Sequence, residues 1–170
     1  MEDTVTRVDT RTGRVAAMIC VGARPAGVRS LAAGPGGVWV TEHDALVRID
    51  PATNRVVARI AMESPGGPAV TGDAVWVANE GRGTVTRVDP RSNRAVAVVR
   101  VGLNPVSVAV DRRFAWVVNN GEDTVSQIET TGNRLVATIR AGPRSWRLAL
   151  GAGAVWVQSY AARAIYRIEP

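Results

Sequence analysis

The chain has 170 residues, of which 46% are hydrophobic and 21% are charged, a balance that excludes a disordered, collagen-like or coiled-coil protein and fits one folded domain. All 21 basic residues are arginines and the formal net charge is +6, so lysine Schiff-base chemistry is excluded. The single Cys20 and the single His43 exclude an internal disulfide framework, a cysteine metal cluster and any site that needs two imidazoles. We therefore expect no metal and no cofactor.

The chain repeats itself with a period of about 40 residues. A tryptophan inside Val-Trp-Val or Ala-Trp-Val, an acidic residue and an arginine each recur with this spacing. The three series are Trp39, Trp76, Trp116 and Trp156; Asp9, Asp50, Asp89, Glu129 and Glu169; and Arg14, Arg55, Arg94 and Arg134. Because the three series agree in period, they predict one repeated structural unit.

Taken in chain order, the predicted elements are all β-strands. Residues 1–21 contain two strands, at 5–8 and 15–20, and residues 22–61, 62–100 and 101–140 contain four strands each. Residues 141–170 contain three strands, the last at 164–168. In the third complete unit the runs are 105–110, 114–119, 124–129 and 134–140, each rich in Val, Ile and Thr and bounded by Gly, Asn, Asp or Pro. Asn120-Gly121 predicts a hairpin with a type I′ turn.

Four antiparallel strands in about 40 residues are the dimensions of a β-propeller blade, whose sheet packs face to face with its neighbours around an axis. We label the strands of a blade a to d from the axis outward. Burial on both faces explains the nearly continuous apolar runs of strand a, such as 106–110 and 148–150, and a tryptophan that fills the space between sheets. The sequence therefore predicts an all-β fold, a β-propeller of about four blades, with a β-solenoid as the alternative.

Several blocks resemble known propeller repeats. Residues 101–110, 115–119, 124–129 and 133–139 resemble the YVTN β-propeller repeat, with Trp in the Tyr position. Residues 34–42 and 48–51 are similar to the repeat of streptogramin lyases, the virginiamycin B lyase-like propellers. The resemblance covers essentially the whole chain and implies a propeller of six to eight blades and an extracytoplasmic location. It implies no single function, because these repeats are structural.

The number of blades stays open at this point. The predicted strands number one more than four blades need, since one strand c is redundant. Three interpretations follow: a segment of a longer propeller, a closed ring of four blades, or two copies that associate into eight. Exposed blade edges would favour self-association in the last case.

The block Asp-Pro-x-Thr/Ser-Asn-Arg, at 50–55 and 89–94, is interpreted as the turn between strands c and d. Its Asp caps backbone amides, and Asn accepts a left-handed conformation. An arginine lies two residues before four of the five acidic positions, hence on the same strand face, and we predict that it pairs with that carboxylate. These arginines are Arg7, Arg48, Arg87 and Arg167.

In an antiparallel meander the b–c turns and the d–a connections emerge at one end, where loops build binding sites. The candidate ligand-binding residues there are Arg24, Glu42, His43, Arg144, Trp146, Tyr160 and Arg163. The turn Glu42-His43-Asp44 is two residues shorter than its counterparts. The resemblance to streptogramin lyases implies two histidines and a glutamate near magnesium, a set that this chain does not have. We therefore predict a solvated turn and no catalytic residue.

Residues 130–170 contain six arginines and one acid, Glu169, and so hold +5 of the net +6. The basic Arg144, Arg147 and Arg163 alternate with the aromatic Trp146 and Tyr160. Cations interleaved with aromatic rings are suited to phosphates, unstacked bases or an anionic glycan. A nucleic acid or another anion is therefore one expected partner.

The function that these patterns favour is a non-catalytic binding scaffold, with a protein or a small or anionic ligand at the loop end around the channel. The alternatives are an anion- or nucleic-acid-binding propeller and a segment of a lyase-like enzyme whose catalytic residues lie outside this chain. We expect no membrane insertion, because the longest uncharged run, 148–162, contains 15 residues and includes polar ones. The charged first fifteen residues predict no signal peptide within this chain.

Overall fold

The computed structural model describes residues 3–22 and 27–169, which form five antiparallel sheets. The first sheet pairs β1 (Asp3–Val8) with β2 (Val15–Gly22). The second contains β3 (Ser30–Gly34), β4 (Gly37–Thr41), β5 (Ala45–Asp50) and β6 (Arg55–Ala61). The third contains β7 (Pro65–Val70), β8 (Val75–Asn79), β9 (Thr84–Asp89) and β10 (Arg94–Arg100), with a 3₁₀ turn at Glu80–Arg82. The fourth contains β11 (Pro105–Val110), β12 (Phe114–Asn119), β13 (Thr124–Glu129) and β14 (Arg134–Arg140), and the last contains β15 (Ser145–Gly151), β16 (Ala154–Ser159) and β17 (Ala164–Ile168).

Within each sheet the strands lie in chain order, and neighbouring sheets meet through their first strands, β3 against β7, β7 against β11, and β11 against β15. The prediction of an all-β propeller is therefore confirmed. Three sheets have all four strands, the first sheet has strands c and d, and the last has strands a, b and c. The fourth sheet has its predicted strand bounds, whereas β1 begins two residues earlier than predicted and β2 extends to Gly22.

Tryptophan fills the space between sheets, as predicted. Trp39 packs with Leu46 against Val75, Val77 and Val88 of the next sheet. The corresponding tryptophans Trp76 and Trp116 occupy the next two junctions, and all three are at most 1% exposed. The last sheet differs, because its Trp156 is 37% exposed and Ala149 in its strand a is also exposed. The prediction that both faces of 148–150 are buried is therefore wrong.

The c–d turns have the predicted construction. Asp50 Oδ1 accepts a hydrogen bond from the amide of Ala52 at 2.9 Å, and Asp89 Oδ1 accepts one from the amide of Arg91 at 2.8 Å. The turns then pass through a left-handed residue, Asn54 and Asn93, both with φ of 55°. Asn and Gly tolerate this conformation, which explains the recurring sequence.

Three of the four arginines of strand c do not pair with the predicted carboxylates. The Nη1 atom of Arg48 donates to the carbonyl of Pro90 at 2.6 Å and to Asn93 Oδ1 at 2.9 Å, both in the next sheet. The equivalent arginines Arg7 and Arg87 also reach the next c–d turn, so the prediction is wrong for these three. The Asp oxygens already accept turn amides, and the guanidinium of Arg48 stacks over the Trp39 ring at 5.4 Å, which directs it across the junction. Arg167, in the last sheet, does lie 3.2 Å from Glu169.

The predicted hairpin at Asn120-Gly121 is present, but its type I′ turn is wrong. Four residues, 120–123, separate the paired Asn119 and Thr124, and the left-handed residue is Asp123, with φ of 58°. Gly83 and Arg163 have the same conformation at the same place, with φ of 62° and 51°. A type I′ turn connects two-residue hairpin loops, so this longer loop adopts another form.

Candidate binding site on the loop face

The b–c turns and the d–a connections meet at one end of the molecule, which we call the loop face. The amide of Ser64 donates to the carbonyl of His43 at 3.1 Å, and the amide of Tyr160 donates to the carbonyl of Arg144 at 3.2 Å. Ser64 and Arg144 have φ of 45° and 49°, as each connection bends towards the axis. These backbone bonds hold the turns of the loop face in place.

Glu42 is buried, which corrects the prediction of a solvated turn. Its side chain has no exposed surface, and Oε2 lies 2.6 Å from Nη2 of Arg59. The same nitrogen lies 3.1 Å from Asp44 Oδ1, and Arg59 itself is 44% exposed. The Glu42 carboxylate, followed by Asp44, raises the pKa of the Arg59 guanidinium above its ordinary value.

The burial of Glu42 follows from its place at the end of strand b. The other sheets have a small buried polar residue there, Asn79, Asn119 or Ser159. The amide of Asn79 donates to the hydroxyls of Thr84 and Thr86 at 3.0 and 2.8 Å. In the second sheet the corresponding residues are Ala45 and Val47, which offer no hydroxyl, so the longer Glu42 side chain reaches Arg59 instead. Sequence reasoning missed Arg59. The signal that could have revealed it is that the equivalent positions of the next two repeats hold the uncharged Val98 and Thr138.

His43 is exposed and lines a groove of about 540 Å³ between the first two complete blades. Its lining combines the apolar Met62 and the exposed Val98 with buried polar and exposed charged residues. The polar and charged residues are Asn79, Thr86, Asp44 and the bridging pair of Glu63 and Arg82. In this pair Arg82 Nε donates to Glu63 Oε2 at 2.6 Å. The turn at His43 has two residues between the bonded Glu42 and Ala45, so the prediction of a shorter turn is confirmed.

The predicted cluster of arginines and aromatic rings divides between two places. Tyr160, 74% exposed, and Arg163 share one turn and line a groove of about 690 Å³. Arg144 adjoins this turn through its backbone. Trp146 and Arg147 instead line a small cavity of about 80 Å³ formed by the innermost strands. Arg24 lies outside the described residues.

The same cavity contains an ion pair that sequence reasoning did not single out. Arg29 donates from Nη2 to both oxygens of Glu80, at 2.9 and 2.7 Å, and from Nη1 to the carbonyl of Pro65 at 3.3 Å. The two side chains are 35% and 20% exposed. They lie 51 positions apart in the chain, and only the packing of the sheets brings them together.

In residues 3–22 and 27–169, no three His, Cys, Asp or Glu side chains are grouped so that they could hold a metal ion. In the same residues, no helix has the length and apolar character needed to cross a membrane.

No family model and no curated protein matches the sequence. Among solved structures, the chain is similar to a functionally unknown protein from Desulfotomaculum acetoxidans DSM 771, with 13% identity and a TM-score of 0.79, and to a streptogramin B lyase, with 11% identity and a TM-score of 0.77. Each alignment covers 98% of this chain and 62% of the other, so this chain spans less than two thirds of either protein. The computationally designed Ika4 protein aligns with 9% identity and a TM-score of 0.75, over 89% of this chain and 96% of the designed one.

Identities this low show the fold alone. The stacked four-stranded sheets and these three similarities agree that the chain is a β-propeller in fold.

Proposed function

We propose that this protein is a β-propeller binding module that takes a polypeptide partner on its loop face. The observation that supports the proposal most directly is the groove at His43, whose lining mixes apolar, polar and charged side chains. Protein interfaces likewise combine apolar contacts with hydrogen bonds and charged groups. The lining carries both signs of charge, in Asp44, Glu63 and Arg82, which suits a polypeptide better than a simple anion.

The backbone of the groove supports the proposal as well. The His43 turn accepts a hydrogen bond from Ser64, and the carbonyl of Asp44 accepts one from Met62 at 2.9 Å. A site whose loops are already ordered loses less conformational entropy when it binds. Lyase chemistry is not part of this proposal, because the similarity to streptogramin B lyase concerns the fold.

The test is a selection of peptides from a random display library on the immobilised chain. Affinities are then measured by fluorescence polarisation for the wild type and for Arg82→Ala, which removes the arginine from the lining of the groove. A control, Arg112→Ala, removes the same charge from a groove at the opposite end of the blades. We expect Arg82→Ala to weaken binding about tenfold or more, equivalent to about 1.4 kcal/mol, and Arg112→Ala to leave it unchanged. Peptides that bind both variants as well as wild type would refute a loop-face site.

A second candidate function is anion binding at the last b–c turn. Its supporting observation is the highly exposed Tyr160 beside Arg163, in a groove within the most basic part of the chain. An exposed ring next to a cation can stack on a base while the cation contacts phosphate.

Anisotropy of a fluorescent oligothymidylate at several salt concentrations tests this second function. Tyr160→Ala and Arg163→Ala should each weaken binding, while Arg134→Ala, which removes an exposed arginine of an outer strand, serves as the charge-matched control. If Arg163→Ala and Arg134→Ala weakened the affinity for the oligothymidylate equally, net charge would explain the binding, and a site at the last b–c turn would be refuted.

A further inference from the structure

A second groove lies at the end of the blades opposite the loop face, and we call it the turn-end groove. It measures about 670 Å³ and lies between the third and fourth sheets, where their a–b turns approach the c–d turn of the fourth sheet. Each of these two sheets also contacts a further sheet on its other side, so the groove belongs to the interior of the stack. Its volume is within the ~300–1,000 Å³ of known ligand pockets. The lining includes Asp73, Trp76, Arg87, Asp111, Arg112 and Thr131.

The junction between the second and third sheets shows how protein groups fill the corresponding place. Arg48 donates from Nε to the carbonyl of Gly36, in the a–b turn of its own sheet, at 2.8 Å. Its Nη1 atom donates to the carbonyl of Pro90, in the c–d turn of the next sheet, at 2.6 Å. A Cβ atom on Gly36 would lie 3.7 Å from that of Pro90, so the two turns lie close together. The arginine thus connects both turns across this junction.

At the junction with the turn-end groove, Arg87 lacks one of these bonds. Its Nη1 atom donates to the carbonyl of Thr130 at 3.1 Å, and its Nη2 atom donates to Asp73 Oδ2 at 2.8 Å. Where Arg48 finds a turn carbonyl, Arg87 meets the Asp73 carboxylate, which binds Nη2 instead of Nε. The Nε atom of Arg87 is buried, and no described residue accepts a hydrogen bond from it. Buried N–H groups are normally paired, so the bonding at this junction is incomplete.

Trp76 provides a second N–H group without an acceptor. In the fourth sheet the equivalent Trp116 donates from Nε1 to Asp111 Oδ2 at 3.3 Å. Thr71 takes the place of that aspartate in the third sheet, and its hydroxyl bonds within its own turn, to Asp73 Oδ1 at 2.9 Å. Within the part of the chain that the structure describes, nothing accepts a hydrogen bond from Trp76 Nε1. Trp76 is 1% exposed, and both it and Arg87 line the groove.

The formal charges around the groove cancel. Asp73, which is 76% exposed, and Asp111 are negative, and Arg87 and Arg112 are positive. Two carboxylates make the site unfavourable for a simple anion, and two guanidinium groups do the same for a cation. Of the described residues that line the groove, only Val110 has an aliphatic side chain, so an apolar ligand would bury little apolar surface. These groups instead suit a neutral ligand that both donates and accepts hydrogen bonds, as hydroxyl groups do.

From the unpaired donors and the balanced charges we propose that the turn-end groove binds a neutral polyhydroxylated ligand such as a sugar unit. Ligand oxygens accept hydrogen bonds from the Trp76 indole and the Arg112 guanidinium, and ligand hydroxyls donate to the carboxylates of Asp73 and Asp111. Hydrogen bonds to charged groups are stronger than those between neutral groups. The site is independent of the proposed polypeptide site, because the two grooves lie at opposite ends of the blades.

NMR titration of the ¹⁵N-labelled protein with glucose, galactose and N-acetylglucosamine tests the proposal. The indole N–H resonance of Trp76, assigned by triple-resonance experiments, should shift saturably with at least one of these sugars. The indole of Trp39 is the internal control, because its Nε1 is also buried without an acceptor but lies at the preceding junction, outside the groove. Its resonance should stay where it is.

Two variants of exposed turn residues identify the groups that bind. Arg112→Ala and Asp73→Ala should each raise the dissociation constant of the sugar about tenfold, since each removes charge-assisted hydrogen bonds. The control Arg94→Ala removes an exposed arginine of outer strand β10 and should leave the dissociation constant unchanged.

Three results would overturn the proposal. A Trp76 shift with acetate or phosphate but with none of the sugars would assign an anion site. Equal affinities in the wild type, Arg112→Ala and Asp73→Ala would place the sugar elsewhere on the protein. The absence of a saturable shift with all three sugars would show that the turn-end groove does not take this class of ligand.

Discussion

At the scale of single residues, Glu42 shows how one substitution within a repeat rebuilds a local network. The position holds a small neutral side chain in the other sheets, with partners such as the hydroxyls of Thr84 and Thr86. Glu42 brings a full negative charge to the same buried place, and Arg59 is the cation within ion-pair distance of it. A buried charge that loses its partner is strongly destabilising, so the fold depends on this arginine.

Arg59→Ala should lower the free energy of unfolding by about 1–3 kcal/mol, between the ranges for exposed and buried pairs, because water still reaches 44% of the Arg59 side chain. Adding Glu42→Gln should recover most of the loss, since it removes the unpaired charge. The control Arg82→Ala breaks a pair that is 67% and 56% exposed and should cost at most about 1 kcal/mol. Urea unfolding measures all three variants, and equal losses for Arg59→Ala and Arg82→Ala would contradict this role.

Gly66 and Gly67 provide a second test at residue scale, close to the axis. A Cβ atom on Gly66 would lie 2.7 Å from the carbonyl oxygen of Val106 in the neighbouring strand β11, and one on Gly67 would lie 3.6 Å from the same atom. Gly66→Ala should therefore destabilise the protein by about 1–3 kcal/mol through overpacking. Gly67→Ala places its Cβ in ordinary contact and should change stability by less than about 1 kcal/mol. Thermal melting followed by circular dichroism distinguishes the two, and similar melting temperatures would refute the close approach.

At the scale of elements, the c–d turn performs two tasks. Its aspartate holds the turn amides, and its asparagine accepts the arginine of the preceding sheet, as Asn93 accepts Arg48. The turn thus joins local structure to blade stacking. Hydrogen bonds from backbone amides, followed by that of a neighbouring hydroxyl, hold the pKa of Asp50 and Asp89 below the ordinary value of 3.8, and amides of Thr12 and Arg11 do the same for Asp9.

These depressed pKa values predict an acid-sensitive contribution to stability. Because the unfolded chain binds the protons more readily, the contribution is complete above the ordinary pKa of 3.8 and is lost as the pH falls through the lower folded values. The triple variant Asp9→Asn, Asp50→Asn and Asp89→Asn keeps an acceptor oxygen but cannot titrate. Its melting temperature should fall less than that of the wild type between about pH 4 and pH 2. Parallel melting curves against pH would exclude a contribution from the turns.

At the scale of the whole molecule, stability depends on how many neighbours a sheet has. Stacked repeats gain much of their free energy from the interfaces between units. The sheets β7–β10 and β11–β14 are covered on both faces, whereas the first and last sheets are covered on one face within the described residues.

Hydrogen exchange should reflect this difference. We expect the slowest exchange in β8 and β12, whose residues are nearly all buried, and faster exchange in β17, whose residues are largely exposed. Mass spectrometry of peptides measures these rates, and equal exchange in β8, β12 and β17 would contradict the dependence on burial.

Much of the element structure could be predicted from the sequence. The alternation of side chains along a strand and the turn residues, such as Asn54 and Asn93, are local properties that a single repeat contains. The spacing of the tryptophans becomes visible when the repeats are compared. The left-handed residue of the b–c turn was misplaced, because the Asn-Gly pair suggested a two-residue loop where the strands pair across four residues.

Of the candidate site, sequence reasoning placed His43, Tyr160 and Arg163 on the loop face through topology. It grouped Trp146 with them because the residues are close in the chain. Trp146 instead occupies the position that Val106 has in the fourth sheet, where Val106 packs between two sheets. Proximity in sequence is a poor guide here, since neighbouring strand residues point to opposite faces of a sheet.

The sequence by itself determined the kind of blade, because each strand and turn depends on residues a few positions away. The tertiary structure alone decided which groups meet across blades. Arg48 bonds to the next sheet rather than to its own acid, Glu42 is buried against Arg59, and Trp156 is exposed while Trp116 is not. These outcomes depend on which sheet, if any, packs against a given face, and that is a property of the stack of sheets that no single repeat encodes.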